Sequence, residues 1–207
     1  MVLELRAEWG TYDAYLASLA SKYRNTARQQ IHKPIEEAGY TVETISGLDQ
    51  YAERLHSLYL QVHQKAAIRP FTLRKDYFSA LEASAGNNFR CTVIRRADDL
   101  IGFIITLKDG AIAYGYHIGF ERAASAGLPV YLRLLHASIA DAIALDCRQL
   151  SLGRTALEPK ASLGAKPQAI TVWVRHRQPV MNLFVRNLLR VISHEDAPER
   201  NPFKKSA

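Results

Sequence analysis

The chain has 207 residues, 48% hydrophobic and 23% charged, enough for one full-sized domain with a real core. No stretch approaches the ~20 consecutive apolar residues of a membrane helix; the longest apolar run, residues 101–107, is strand-sized and holds Gly102 and Thr106. A formal charge of +7 favours a polyanionic or phosphate-bearing ligand, with Arg24, Arg28, His32 and Lys33 clustered early and Arg175, His176 and Arg177 late.

Residues 1–10 open with acidic and polar side chains and do not read as a signal peptide, so a cytoplasmic location is expected. Across residues 11–32, Tyr12, Tyr15, Leu16, Leu19, Tyr23 and Ala27 recur at three- and four-residue steps, which predicts a helix. Pro34 disturbs or ends it, and Gly39 stops it. Thr41–Ile45 alternates and is rich in β formers, so a short strand is expected. Ser46 to Asp49 resembles a capping box, and Leu48, Tyr51, Leu55, Leu58 and Val62 mark a second helix. Arg69-Pro70-Phe71 breaks the chain, and Thr72 is placed to cap a third helix reaching Ser84.

Residues 89–95, 100–107 and 111–120 read as three strands joined by turns short enough for hairpins, an antiparallel meander. Leu128, Leu132, Leu135, Ile139 and Ile143 mark a helix ending near Asp146. Residues 148–152 and 169–177 are expected strands, with one or two helical turns between them at 156–163. Pro179 suits the first turn of a last helix over 180–192. This order predicts a mixed α/β fold, a largely antiparallel central sheet flanked by helices. The expected division is an N-terminal helical extension (1–40), the α/β domain (41–192) and a flexible polar tail (193–207).

The candidate chemistry centres on residues 152–165, LGRTALEPKASLGA. Gly153 lets the backbone bend as a strand ends, where sites on such sheets often form. Glu158 is a candidate general base, Arg154 and Lys160 candidate ligands for an acidic group, and Thr155 a candidate orienting hydroxyl. The alternative is a structural turn in which Arg154 and Glu158 form an ion pair. In the strand at 111–120, simple alternation puts Ala113, Gly115, His117 and Gly119 on one face. His117 is a candidate base on that otherwise small face, or a packed histidine at a helix–sheet contact. Cys91 and Cys147 sit in no C-x-x-C or Cys/His spacing, so no metal site is expected and both read as buried thiols. The G-x-S-x-G, G-x-x-x-x-G-K-[ST] and H-E-x-x-H patterns are absent.

Three stretches carry a family likeness: Tyr15 to Arg24 continuing to Arg28; Tyr114 to Gly119 followed by the helix start at Leu128; and Leu152 to Lys160 with Leu163-Gly-Ala165. From Thr41 onward the order of elements resembles the GNAT N-acyltransferase fold. The three stretches are similar to the second lobe of the Fem-type and cellulose-biosynthesis-type acetyltransferase group. That resemblance implies an N-acyltransferase with acetyl-CoA or another acyl-CoA as co-substrate and direct transfer to a small-molecule or cell-envelope amine. It implies donor contacts at Tyr116, Ile118, Arg122, Gly127 and Leu128, and Tyr131 as a general acid to the leaving thiolate. One departure stands out. The family's Gln/Arg-x-x-Gly-x-Gly/Ala phosphate loop is here Arg122-Ala-Ala-Ser-Ala-Gly127, with Ser125 where the first glycine belongs. Two alternatives follow: Fem-like aminoacyl transfer from tRNA, or a catalytically silent lobe that binds a ligand or partner. The expected partners include a second GNAT-like lobe in a longer chain, or a second copy in a homodimer.

Overall fold

The structure is a computed structural model that describes residues 1–66, 69, 71–171, 173–189, 198 and 200–204. Six strands form one sheet in the order β1-β6-β5-β4-β3-β2: β1 (Val2–Glu4), β2 (Thr41–Ile45), β3 (Phe89–Arg96), β4 (Asp99–Asp109), β5 (Ile112–Phe120) and β6 (Gln149–Ser151). All neighbours are antiparallel except β5 and β6, which run parallel. The meander β3–β4–β5 is the expected one, because its turns leave no room for a crossover.

Helices cover both faces. On one lie α4 (Ala52–His63) and α5 (Tyr77–Ala85), whose Leu55, Leu58 and Phe78 pack on Val93, Phe103 and Ile105. On the other lies α7 (Val130–Ala144), with Val130 and Leu134 against Ile94, Ile101 and Ile104. The same helix buries Asp141, which accepts hydrogen bonds from Arg90 Nε (2.9 Å), Thr92 Oγ1 (2.8 Å) and Thr106 Oγ1 (3.2 Å). A buried carboxylate needs such partners, and these tie α7 to β3 and β4.

Several expectations change. The first 40 residues are not an appendage: β1 pairs with β6, and Leu3, Leu5, Trp9 and Tyr15 join a core cluster with Leu135 and Ile139 of α7. The predicted helix over 11–32 is interrupted at Leu19 and Ala20, where the chain turns extended. There Leu19 bridges Phe203 and the Ala20 amide donates to the Pro202 carbonyl, so the end of the chain takes the place of helical bonds. Residues 201–204 are thus docked, with the Phe203 ring 5.3 Å from that of Trp9. α1 (Tyr12–Ser18) precedes this break. α2 (Ser21–Asn25) follows it and continues through a π-helical segment, Thr26–His32, into α3 (Lys33–Glu37). The wider turn accommodates Pro34, which cannot donate to a regular helical ladder. The Ser46 capping box does not form; Glu82 accepts from the amides of Gly47 and Leu48 instead. The third helix starts at Tyr77, because Thr72 lies 3.2 Å from His63 Nε2 and caps nothing. The strand expected over 169–177 is absent among its described residues, and Val172 lies outside them. Ile170 and Trp173 are exposed there, with the sheet edge beside β6 already taken by β1. α6 (Arg122–Ser125), α8 (Leu157–Ser162) and α9 (Pro179–Leu189) complete the chain; the expected last-helix residues 190–192 lie outside the described residues. No described helix is long and apolar enough to cross a membrane.

A polar knot joins the N-terminal helices to α7. The Tyr12 hydroxyl lies 2.9 Å from His32 Nε2 and 2.7 Å from His136 Nδ1. Burial holds His32 down to about 4 and His136 down to about 3, so both rings are neutral in the folded chain. In the unfolded chain they take protons below about pH 6.5. Stability is therefore lost as pH falls from about 6.5 towards about 4, by roughly 3 kcal/mol after discounting for the partial exposure of His32. Urea midpoints at pH 7 and pH 4.5, for the wild type and His136→Leu, check this. The variant should lose most of the difference.

Candidate functional site

β5 pairs with β6 only over Ile112–Gln149, Ala113–Leu150 and Tyr114–Ser151. Beyond Tyr114, β5 has no strand on that side, and the sheet splits. The split opens a cleft of about 450 Å³ lined by Gly115 and Ile118 of β5, Tyr131 of α7, Leu152 and Thr155 after β6, and Lys160 of α8.

A β-bulge shapes the wall. Ile105 faces His117 and Thr106 faces Gly115, so Tyr116 is an extra residue in the ladder. One inserted residue reverses the alternation that follows. Ala113 packs with Leu135 and Ile139 beneath α7, whereas His117 lies among Tyr59, Tyr77 and Phe78 on the α4–α5 side. The expected common face of Ala113, Gly115, His117 and Gly119 therefore does not exist. Gly119 abuts the backbone of α4 at Leu58 and Tyr59. The cleft takes lining from both layers, Val62 of α4 as well as Leu135 of α7.

A second hollow of about 330 Å³ adjoins it and shares Val62, Tyr116 and Ile118. Tyr59, His63, Phe71, Leu73 and His117 contribute its other large side chains. Its outer wall is the loop before α5, held to α4 by His56 Nε2 at 2.8 Å from the Leu73 carbonyl and by the Leu73 amide donating to the Tyr59 hydroxyl.

Of the residues singled out from sequence, Tyr116, Ile118, Tyr131, Thr155 and Lys160 meet at the cleft. Lys160 is 3% exposed and donates to the Thr155 carbonyl. Burial lowers its ammonium to about 8, so near neutral pH a cation at the cleft wall is mostly retained. Burial raises the Tyr131 phenol, which stays protonated. His117 reaches the second hollow and is pushed down to about 4 by burial. Arg154 is exposed on the rim, between Gly153 (φ 74°) and Ala156 (φ 50°), both left-handed. That pair of residues makes the sharp turn from β6 into α8, and a non-glycine residue held there is a strained position of the kind found at functional sites. Glu158 does not join the cleft. It lines a separate apolar pocket of about 240 Å³ with Tyr23 and His136, and pairs with Arg200 rather than Arg154. Cys91 and Cys147 are buried free thiols outside the cleft lining, and burial raises both. Among the described residues no cluster of His, Cys, Asp or Glu has the makings of a metal site.

The slot runs along an open strand edge. Its walls are largely apolar, with Lys160 and Thr155 as polar exceptions, and the β5 edge facing β6 is unpaired beyond Tyr114. The loop from Arg122 to Gly127, where the resemblance implies phosphate contacts, is closed on itself. The amides of Ser125, Ala126, Gly127, Leu128 and Val130 all donate to carbonyls within residues 121–128. The Arg122 amide donates to Gln61 Oε1, leaving its exposed side chain as the nearby cation. Gly127 and Leu128 therefore offer no amide cradle in this conformation. The expected contacts at Arg122, Gly127 and Leu128 lie outside the cleft lining.

A family model described as an acetyltransferase (GNAT) domain matches residues 21–161. No curated protein sequence matches the chain. An aminoglycoside acetyltransferase from an uncultured soil metagenomic sample, solved with trehalose, is 13% identical with a TM-score of 0.50, covering 68% of this chain and 99% of that one. FemX is 11% identical with a TM-score of 0.53, covering 75% of this chain and 52% of its own. The aminoglycoside N-acetyltransferase AAC(6')-Iy, solved with CoA, is 12% identical with a TM-score of 0.50, covering 67% and 95%. At these identities the likeness is one of fold.

Proposed function

The chain belongs to the acetyltransferase (GNAT) domain family, and from that premise we propose that it is an N-acyltransferase carrying an acyl group from acyl-CoA directly to an amine. One observation carries the reading. The cleft where β5 leaves β6 meets a second hollow at Val62, Tyr116 and Ile118, so donor and acceptor would approach one point from opposite layers of the sheet. Holding two reactants in such register supplies much of the rate in a direct transfer.

The donor contributes a thioester carbonyl open to amine attack. The C–N bond forms, the C–S bond breaks, the amine proton passes to solvent, and the departing sulfur takes a proton from Tyr131, which regains one from solvent. The phenol suits that role because burial keeps it protonated. Lys160, next to the cleft turn, polarises the carbonyl as negative charge develops on its oxygen. His117 is neutral throughout the physiological range, so it orients the amine as a hydrogen-bond partner rather than storing its proton. No covalent enzyme intermediate is needed.

Lys160→Met tests the assignment while keeping the side chain's apolar length. It should lower kcat about 100-fold, as loss of a transition-state donor does. The wild-type rate should fall as pH rises through about 8, where Lys160 loses its proton. The variant should lack that limb. A variant with wild-type kcat and the same pH profile would remove Lys160 from the chemistry.

A second reading has its own support. The internally bonded amides of residues 125–128 favour a donor not held by its pyrophosphate, such as an aminoacyl-tRNA. Titration with acetyl-CoA and with acetyl-pantetheine separates the two. Equal affinities mean the phosphates contribute nothing, while tenfold tighter binding of acetyl-CoA means the loop or Arg122 rearranges to hold them.

A further inference from the structure

We propose that the acceptor bound in the second hollow is a monoamine on a flat apolar body, an arylalkylamine in chemical class, and not a polyamine. The inference rests on the transferase reading only for the fate of the amine, not for its binding.

The hollow is built from rings. Tyr59 and His63 stack at 5.0 Å with 24° between their planes, making one flat wall. Tyr116 and His117, at 4.5 Å and 74°, make an edge-on wall, and the Tyr116 hydroxyl is braced 3.2 Å from that of Tyr77. Phe71 is 70% exposed and Tyr116 48% exposed, large apolar surfaces turned towards a concave space. A flat apolar ligand would cover both and remove that surface from water.

Charge selects against the alternative. None of the described lining residues is acidic. The whole segment from Tyr59 to Lys75 carries no Asp or Glu and holds Lys65, Arg69, Arg74 and Lys75. Arg74 and Lys75 are paired, with Asp76 and Glu53. Lys65 and Arg69 have no acidic partner among the described residues. A polyamine would bring two or more further positive charges to a segment whose Lys65 and Arg69 already repel them. A single ammonium is different, because ring faces attract one cation, and the neutral His117 adds no opposing charge. On transfer the amine loses one N–H proton to solvent, gains the acyl carbon, and the donor leaves as a free thiol.

Calorimetric titration of the full chain with phenethylamine and with spermidine tests the proposal, alongside release of free thiol from acetyl-CoA. Phenethylamine should bind at least tenfold more tightly than spermidine, and Phe71→Ala should weaken it tenfold or more. Phe71 is exposed, so this variant keeps the fold. Spermidine binding as tightly as phenethylamine, no binding of phenethylamine, or indifference to Phe71→Ala would each overturn the proposal. Phenethylamine binding without thiol release supports the amine site and counts against the acyl-CoA reading. Thiol release driven by spermidine alone does the reverse.

Discussion

Gly115→Val is expected to abolish acyl transfer while leaving the fold intact. The residue sits in β5 where the cleft begins, opposite Thr106 of β4 and just before the bulge at Tyr116. A Cβ there would stand 3.5 Å from Leu152 Cδ2 and 3.7 Å from the Ser151 carbonyl oxygen, ordinary contact distances. The first carbon therefore fits, and the two methyls enter the slot. Valine also suits a strand better than glycine, by about 0.5–1 kcal/mol. The urea midpoint should stay level or rise, and thiol release should fall below one hundredth of the wild-type rate. Retained activity would move the donor out of this cleft.

Gly119→Ala, four residues on, should have the opposite signature. Its Cβ would run into Phe103 Cε1 and lie 2.7 Å from the Tyr59 nitrogen and 2.8 Å from the Leu58 carbonyl carbon. A side chain can turn away, but the backbone of α4 cannot move without its helix. Forcing volume into such a site costs about 3 kcal/mol, the upper end of usual overpacking. If α4 shifts to relieve the clash, Val62 moves with it, and Val62 lines both cavities. Chemical denaturation checks the stability loss. A variant as stable as wild type would show that β5 and α4 are not in the close contact described.

These glycines also show where the sequence could be read and where it could not. The meander was legible because its strands are long, apolar and joined by short turns. The helix α7 was legible from Leu128, Leu132, Leu135 and Ile139. Residues 152–165 were legible as a string with no ordinary patterning, and Lys160 and Thr155 from that string do line the cleft. The face of His117 was not legible. Alternation has no marker for one inserted residue, and the bulge at Tyr116 puts His117 and Gly119 on the side opposite Ala113. β1 leaves no mark in the sequence because three residues make no period; it forms through pairing with β6, with Val2 opposite Ser151. Glu158 was a reasonable candidate by type and spacing, yet its helix turns it towards Tyr23 and Arg200. The ring-lined hollow depends on a loop without periodicity, fastened by His56 and Tyr59.

The proposed reaction requires that the split between β5 and β6 hold an acyl donor. Calorimetric titration of acetyl-CoA into the wild-type chain and Gly115→Val, side by side, tests it most directly. Saturable binding to the wild type and at least a hundredfold weaker binding to the variant are expected. Equal affinity in the two proteins, or no binding to the wild type at millimolar concentration, would contradict it.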